Sequence, residues 1–166
     1  MNAMFDIAAG IAVLATVMMI TRPSAVHALL YLTVSLLAVA MVFFVLGAPF
    51  AAALEVIIYA GAIMVLFVFV VMMLNIGGEA EALETGWLKP SAWIGPSFLA
   101  LLLGLELGAL AASGGLARTA AAVVGPQAVG IALTGPYMLA VEIASFLLLA
   151  AVVAAFHLGR AVMRGV

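Results

Sequence analysis

Cysteine is absent from the 166 residues. That excludes disulfides, iron–sulfur ligation and thiolate zinc sites. Histidine is nearly absent too: His27 and His157 stand far apart, each at a predicted helix end. Two such residues form no two-histidine haem site and no metal cluster, so no catalytic, cofactor-binding or metal residue is assigned to this chain. Charge is scarce, with five Lys and Arg against seven Asp and Glu and a net charge of −2. A polybasic nucleic-acid surface is therefore excluded. No stretch alternates polar with apolar residues over the length a membrane strand needs, which excludes a β-barrel. No internal repeat is visible, so the paired-repeat pattern of many transporters is missing.

Apolar residues fill the space the others leave. They make up 69% of the chain, with a mean hydropathy of +1.45. A soluble domain of this size needs far more polar surface, so the class is integral membrane. The predicted fold is all-α, one membrane domain over 1–166 with five spanning helices at about 3–21, 25–46, 51–75, 92–112 and 136–157. Each run approaches or exceeds the roughly 20 residues that cross a bilayer core. The first is read as a helix that stays in place, because Met1 to Phe5 carries no basic residue and no small-x-small cleavage site follows. Gly47 and Pro49 mark a very short turn, which makes the second and third helices antiparallel neighbours. Glu79 to Pro90, holding Glu79, Glu81, Glu84 and Lys89, is a solvated loop. Ser113 to Gly135 is too apolar for an ordinary exposed loop, and is assigned to the membrane surface or to contact with other subunits. Arg22, Lys89, Arg160 and Arg164 fall on one side against Arg118 on the other. The positive-inside rule then places the C-terminus in the cytoplasm and the N-terminus outside.

The third run, Glu55 to Asn75, carries the most information. Glu55 lies about one turn inside it, where burying an acid costs about 2.5–3.5 kcal/mol on insertion scales. It reads either as an interfacial carboxylate favoured by the helix dipole or as a station on a proton path. Tyr59, four residues on, shares its face; plain packing is the other reading of a tyrosine at this depth. Ala60-Gly61-Ala62 is a close-packing site for a neighbouring helix, and also the place where the winding departs most easily from α. Replacing one α turn near Gly61 by a π turn shifts all later residues by one position, a rotation of about 100°. Bulky side chains such as Val65 and Phe67 would then swing into or out of a neighbouring gap, which is a gate.

Two further acids lie within the predicted spans. Glu142, with Ser145 three residues later, is a second proton-path candidate or the partner of a base on another chain. Glu106, flanked by Gly104 and Gly108, sits deep enough to require protein or water around it rather than lipid. His157 to Arg160 reads as an interfacial stop, and Trp87 and Trp93 as interface anchors.

The stretches VHALLYL (Val26 to Leu32), FFVLGAPFAAALEVIIYAGAIMVLFVFVVMMLN (Phe43 to Asn75), WLKP (Trp87 to Pro90), WIGP (Trp93 to Pro96) and GPYMLAVEIASFLLLAAVVAAFHLGR (Gly135 to Arg160) resemble one family. It is the J subunit of bacterial NADH–quinone oxidoreductase (Complex I), counterpart of the sixth mitochondrially encoded subunit. Only about Phe98 to Thr134 is poorly matched, so nothing transfers to Glu106. The resemblance implies a five-helix subunit of the membrane arm in the bacterial cytoplasmic membrane. It implies a π-bulge in the third helix near Tyr59 and Gly61, opening a water path between the quinone end and the antiporter-like subunits. Glu55 and Glu142 fall in matching segments. FMN, iron–sulfur clusters and quinone would belong to partner subunits, with membrane lipid and no nucleic acid as the other contacts. A structural adaptor, or a subunit of a related cation/proton antiporter or membrane-bound hydrogenase, is the alternative. The resemblance does not extend to the long charged C-terminal tail of some relatives, so no function of that tail is expected from it.

Overall fold

The computed structural model describes residues 3–22, 24–73, 90–113 and 123–164, all of them helix, turn or short connection, with no strand among them. The Glu-rich loop, Trp87, Asn75 and Arg118 lie outside the described residues. Among the described residues five helices are long and apolar enough to cross a membrane, consistent with the rule that lipid admits only backbone that satisfies itself. The chain divides into two compact units, Met1–Val124 and Gly125–Val166.

In the first unit, α1 (Ala3–Thr21) and α2 (Ala25–Val45) pack along a seam of small residues. Ala8, Ile11 and Ala15 recur at helical spacing on α1, and Val34, Ala38, Met41 and Val45 on α2. Ala8, Ala15 and Ala38 are fully buried. Lipid tails are as apolar as these side chains, so association rests on close backbone approach and dispersion, which small residues allow. One polar clasp crosses the seam. The hydroxyls of Thr16 and Ser35 lie 2.8 Å apart, and each is within reach of the Ala12 carbonyl, at 2.8 and 3.1 Å; with one proton apiece, one hydroxyl donates to the carbonyl and the other to its fellow hydroxyl.

The turn after α2 is a glycine C-cap. Gly47 has φ 86°, its N–H reaches the Phe44 carbonyl at 3.0 Å, and Ala48 N–H reaches Phe43 at 2.9 Å. This pair of bonds is the Schellman arrangement, which favours glycine. Pro49 then opens α3 (Pro49–Leu54), where a missing N–H costs nothing. A π-helical stretch, π1 (Glu55–Ile63), and α4 (Met64–Met73) continue the same rod. The rod thus starts two residues before the predicted boundary, because proline begins the helix.

The fourth span is α5 (Pro90–Ala112). Leu103 and Leu110 extend the core formed by α1 and α2. Where a Cβ on Gly95 would sit, the hydroxyl of the buried Tyr31 lies instead. Arg22 covers the Tyr31 ring, 5.4 Å from its centroid. The motifs VHALLYL and WIGP therefore meet at one point: a tyrosine from the first fills the space left by a glycine in the second. Val124 N–H donates to the Gly47 carbonyl at 2.8 Å, tying the end of the unit to the α2–α3 turn.

The second unit holds α6 (Pro126–Thr134) and α7 (Met138–Arg164). The apolar interval read as surface or interface segment contains α6, a helix too short for its periodicity to stand out in the sequence. The turn Gly135–Tyr137 separates it from α7, so the last span begins at Met138 rather than Pro136. A Cβ at Gly135 would lie 2.9 Å from the Ile131 carbonyl, so this turn requires glycine.

Candidate functional site

The wide turn of the third span is where the sequence candidates meet the fold. Leu54 (φ −64°, ψ −39°) and Met64 (φ −66°, ψ −39°) at its two ends have ordinary α geometry. The departure is confined to the nine residues between them. At its exit, Met64 N–H is shared between the carbonyls of Tyr59, five residues back, and Gly61, three back. The five-residue bond is the mark of a π turn, a feature that recurs at functional sites.

Glu55 is the first residue of π1 and half-buried. Tyr59, one turn later, is 48% exposed. Gly61 lies within π1, and a Cβ there would come 3.2 Å from the Val56 carbonyl. That oxygen is five residues back, so the crowding belongs to the π winding. Glycine at this position is what lets the turn widen. Met64 closes the stretch at 2% exposure, pinned against the rest of the unit. Pinning by Met64 is not visible in the sequence, where it is one apolar residue among many.

Val65 and Phe67 fall on α4 at 64% and 49% exposure. An open apolar groove of about 430 Å³ runs between α2, α3, π1 and α5, lined by Met41, Phe44, Ala52, Val56, Leu103 and Leu107 among others. π1 contributes Val56 to it, and neither Val65 nor Phe67 lines it. Glu142 is in the other unit, on α7, where the Ser145 hydroxyl donates to its backbone carbonyl at 2.7 Å rather than to its carboxylate. With α7 starting at Met138, Glu142 stands about one turn into the helix. Glu106 faces protein on α5, 7% exposed.

Five apolar spans among the described residues, with a π turn in the third, define a multi-pass membrane protein whose third span carries an acid, a tyrosine and a glycine together. Among the described residues no group of three or more His, Asp or Glu is placed to hold a metal ion. The model of the NADH-ubiquinone/plastoquinone oxidoreductase chain 6 family matches residues 15–158, and the chain belongs to that family. It is 65% identical over 103 residues to the NADH-quinone oxidoreductase subunit J of Pseudomonas aeruginosa, covering 62% of each chain. To the subunit J of Escherichia coli K12 it is 62% identical over 99 residues, 60% of this chain and 54% of that one. The subunit J of Buchnera aphidicola from Acyrthosiphon pisum is 53% identical over 107 residues, 64% of this chain and 63% of its own. The chain thus spans under two thirds of the length of these curated relatives.

Proposed function

We propose that this chain is a membrane-arm subunit of a proton-translocating NADH–quinone oxidoreductase, and that π1 gates a water path within it. The observation that carries the reading is the coincidence of Glu55, Tyr59 and Gly61 on the nine residues that leave α geometry. An acid inside a membrane span is costly unless it serves traffic, and a π turn that can relax supplies a change of shape at the same place. With the groove beside π1 lined by apolar side chains, the winding described here corresponds to a dry state.

In this reading the complex lies in a bacterial cytoplasmic membrane, with the N-terminus of the chain outside and the C-terminus cytoplasmic. Electron transfer through FMN and iron–sulfur clusters belongs to partner subunits, since this chain offers no thiolate ligand. Its neighbours are the membrane subunits near the quinone site and the antiporter-like subunits, and its own task is conformational. Glu55, Tyr59 and Glu142 are the proton-path candidates.

The test is made on the assembled complex. Gly61→Val leaves assembly intact and lowers quinone reduction coupled to proton uptake, while Glu55→Gln lowers the protons moved per quinone. Full coupled activity in both variants reduces the chain to an adaptor. Co-purification without flavin- and NADH-binding subunits assigns it to an antiporter or hydrogenase complex instead.

A further inference from the structure

Glu106 takes no part in the gating described above, yet among the described residues it is the charged residue most completely enclosed by its own unit, 7% exposed. Neither carboxyl oxygen has a hydrogen-bond partner among the described residues. Its place on α5 explains the enclosure. Leu103 and Leu110, roughly one turn away on either side, pack in the core with Ala8, Ile11, Ala38 and Met41. Of the elements packed there, α1 offers only the exposed Asp6 as an ionisable group. α2 offers His27 and Tyr31 near its start, and α5 offers no other.

A bare carboxylate in such surroundings is prohibitively costly and needs a cation, water or a proton. Among the described residues no cation is within bonding distance of it. An ordered water needs two to four polar partners, and the side chains on this stripe are apolar. A proton needs none of these. We propose that the Glu106 carboxyl is an exchangeable proton-binding site in the α1–α2–α5 seam, separate from π1. Binding takes a proton from an entering hydronium, forms the O–H bond of a carboxylic acid and leaves water; release reverses the step. Exchange has a route along α5. Gly104 lines the groove together with Leu103 and Leu107. A Cβ on Gly104 or on Gly108 would meet nothing within 4 Å. Those glycines lie on the opposite side of α5 from Glu106, and the entry of a water is placed past Leu103, which shares the acid's face and lines both the groove and the core.

Infrared spectroscopy of the full chain in phospholipid nanodiscs at neutral pH tests this. The expected result is a protonated-carboxyl band that is lost in Glu106→Gln, kept in Glu55→Gln and Glu142→Gln, and shifted to lower frequency in D2O. Absence of the band in the unsubstituted chain overturns the proposal, as a cation beside the group would produce. So does a band retained in Glu106→Gln or lost in either of the other variants, and so does a band unmoved by D2O. The unsubstituted chain and the two control variants keep the test decisive even where Glu106→Gln does not fold.

Discussion

Adding carbon to Gly61 should unwind the π turn, and the geometry gives a scale. A Cβ at this position would come 3.2 Å from the Val56 carbonyl oxygen, so that oxygen must retreat by a few tenths of an ångström. In a regular α-helix residues five apart are separated by about 7.5 Å along the axis and off to one side, so the crowding is specific to the wide form. The helix-propensity gain of alanine over glycine, about 1 kcal/mol, applies to both windings and cancels to first order. Overpacking costs about 1–3 kcal/mol. A single methyl belongs at the low end, and about 1 kcal/mol shifts the π-to-α ratio roughly fivefold. Valine, with two further methyls on a stiff χ1, belongs at the high end, where about 3 kcal/mol is roughly a hundredfold. With the residues before Glu55 fixed, losing the extra residue of the turn brings Ile63 into the direction Met64 now occupies. Met64 is 2% exposed and Ile63 37%, so the change can be read from collisions with lipid-soluble oxygen. Spin labels on single cysteines report it cleanly, because the chain has no cysteine of its own. In the unsubstituted chain position 64 is protected; in Gly61→Val protection passes to position 63. Protection that stays at 64 in Gly61→Val refutes the argument.

Other substitutions test the frame that holds this turn. Gly95→Ala places a methyl where the Tyr31 hydroxyl sits, so it should lower stability by about 1–3 kcal/mol. Thermal unfolding in detergent measures this, and adding Tyr31→Phe should restore most of the loss by removing the hydroxyl. The clasp between Thr16 and Ser35 should show a coupling of about 0.6 kcal/mol in a double-mutant cycle with Thr16→Val and Ser35→Ala, the usual size for hydrogen bonds between membrane helices.

How much of this was legible follows from what signals a sequence carries. Long apolar runs broken by Arg22-Pro23 or Gly47-Ala48-Pro49 reveal spans, because lipid thickness and backbone satisfaction leave one solution. The Gly47 turn was legible for the same reason: glycine followed by proline is the grammar of one helix ending and the next beginning. The π turn was reached through Gly61 and the family resemblance, since periodicity in a uniformly apolar rod cannot show a shift by one residue. The same uniformity hid which face of the third span is covered. Val65 and Phe67, the sequence candidates for the gate, lie exposed on α4, Val56 lines the groove and Met64 is buried. Tyr31 against Gly95 joins positions 64 apart in the chain, and no local pattern pairs them. α6 was missed because nine residues give barely two and a half turns of pattern.

A switch in this setting has to preserve backbone pairing throughout, since an orphaned carbonyl in hydrocarbon costs several kcal/mol. Local melting of the third span is therefore closed as a route, whereas exchanging one hydrogen-bond partner for another is open. The exit of π1 is arranged for such an exchange. Met64 N–H already divides itself between Tyr59 and Gly61, and the carbonyl of Ala60, which an α turn would use, stands between them in sequence. Moving to it trades a five-residue bond for a four-residue one, and the Tyr59 carbonyl it releases pairs with Ile63 N–H once the turn is α. Before π1, the Gly47 cap and the bond from Val124 hold the start of the rod. The rotation must then be taken up beyond Gly61, on the part of the helix whose side chains are mostly exposed. The stiff α1–α2–α5 seam and the pliable turn thus perform different tasks. A variant that loosens the seam, such as one at Gly95, should lower stability without moving the protected position from 64 to 63, and Gly61→Val should do the reverse.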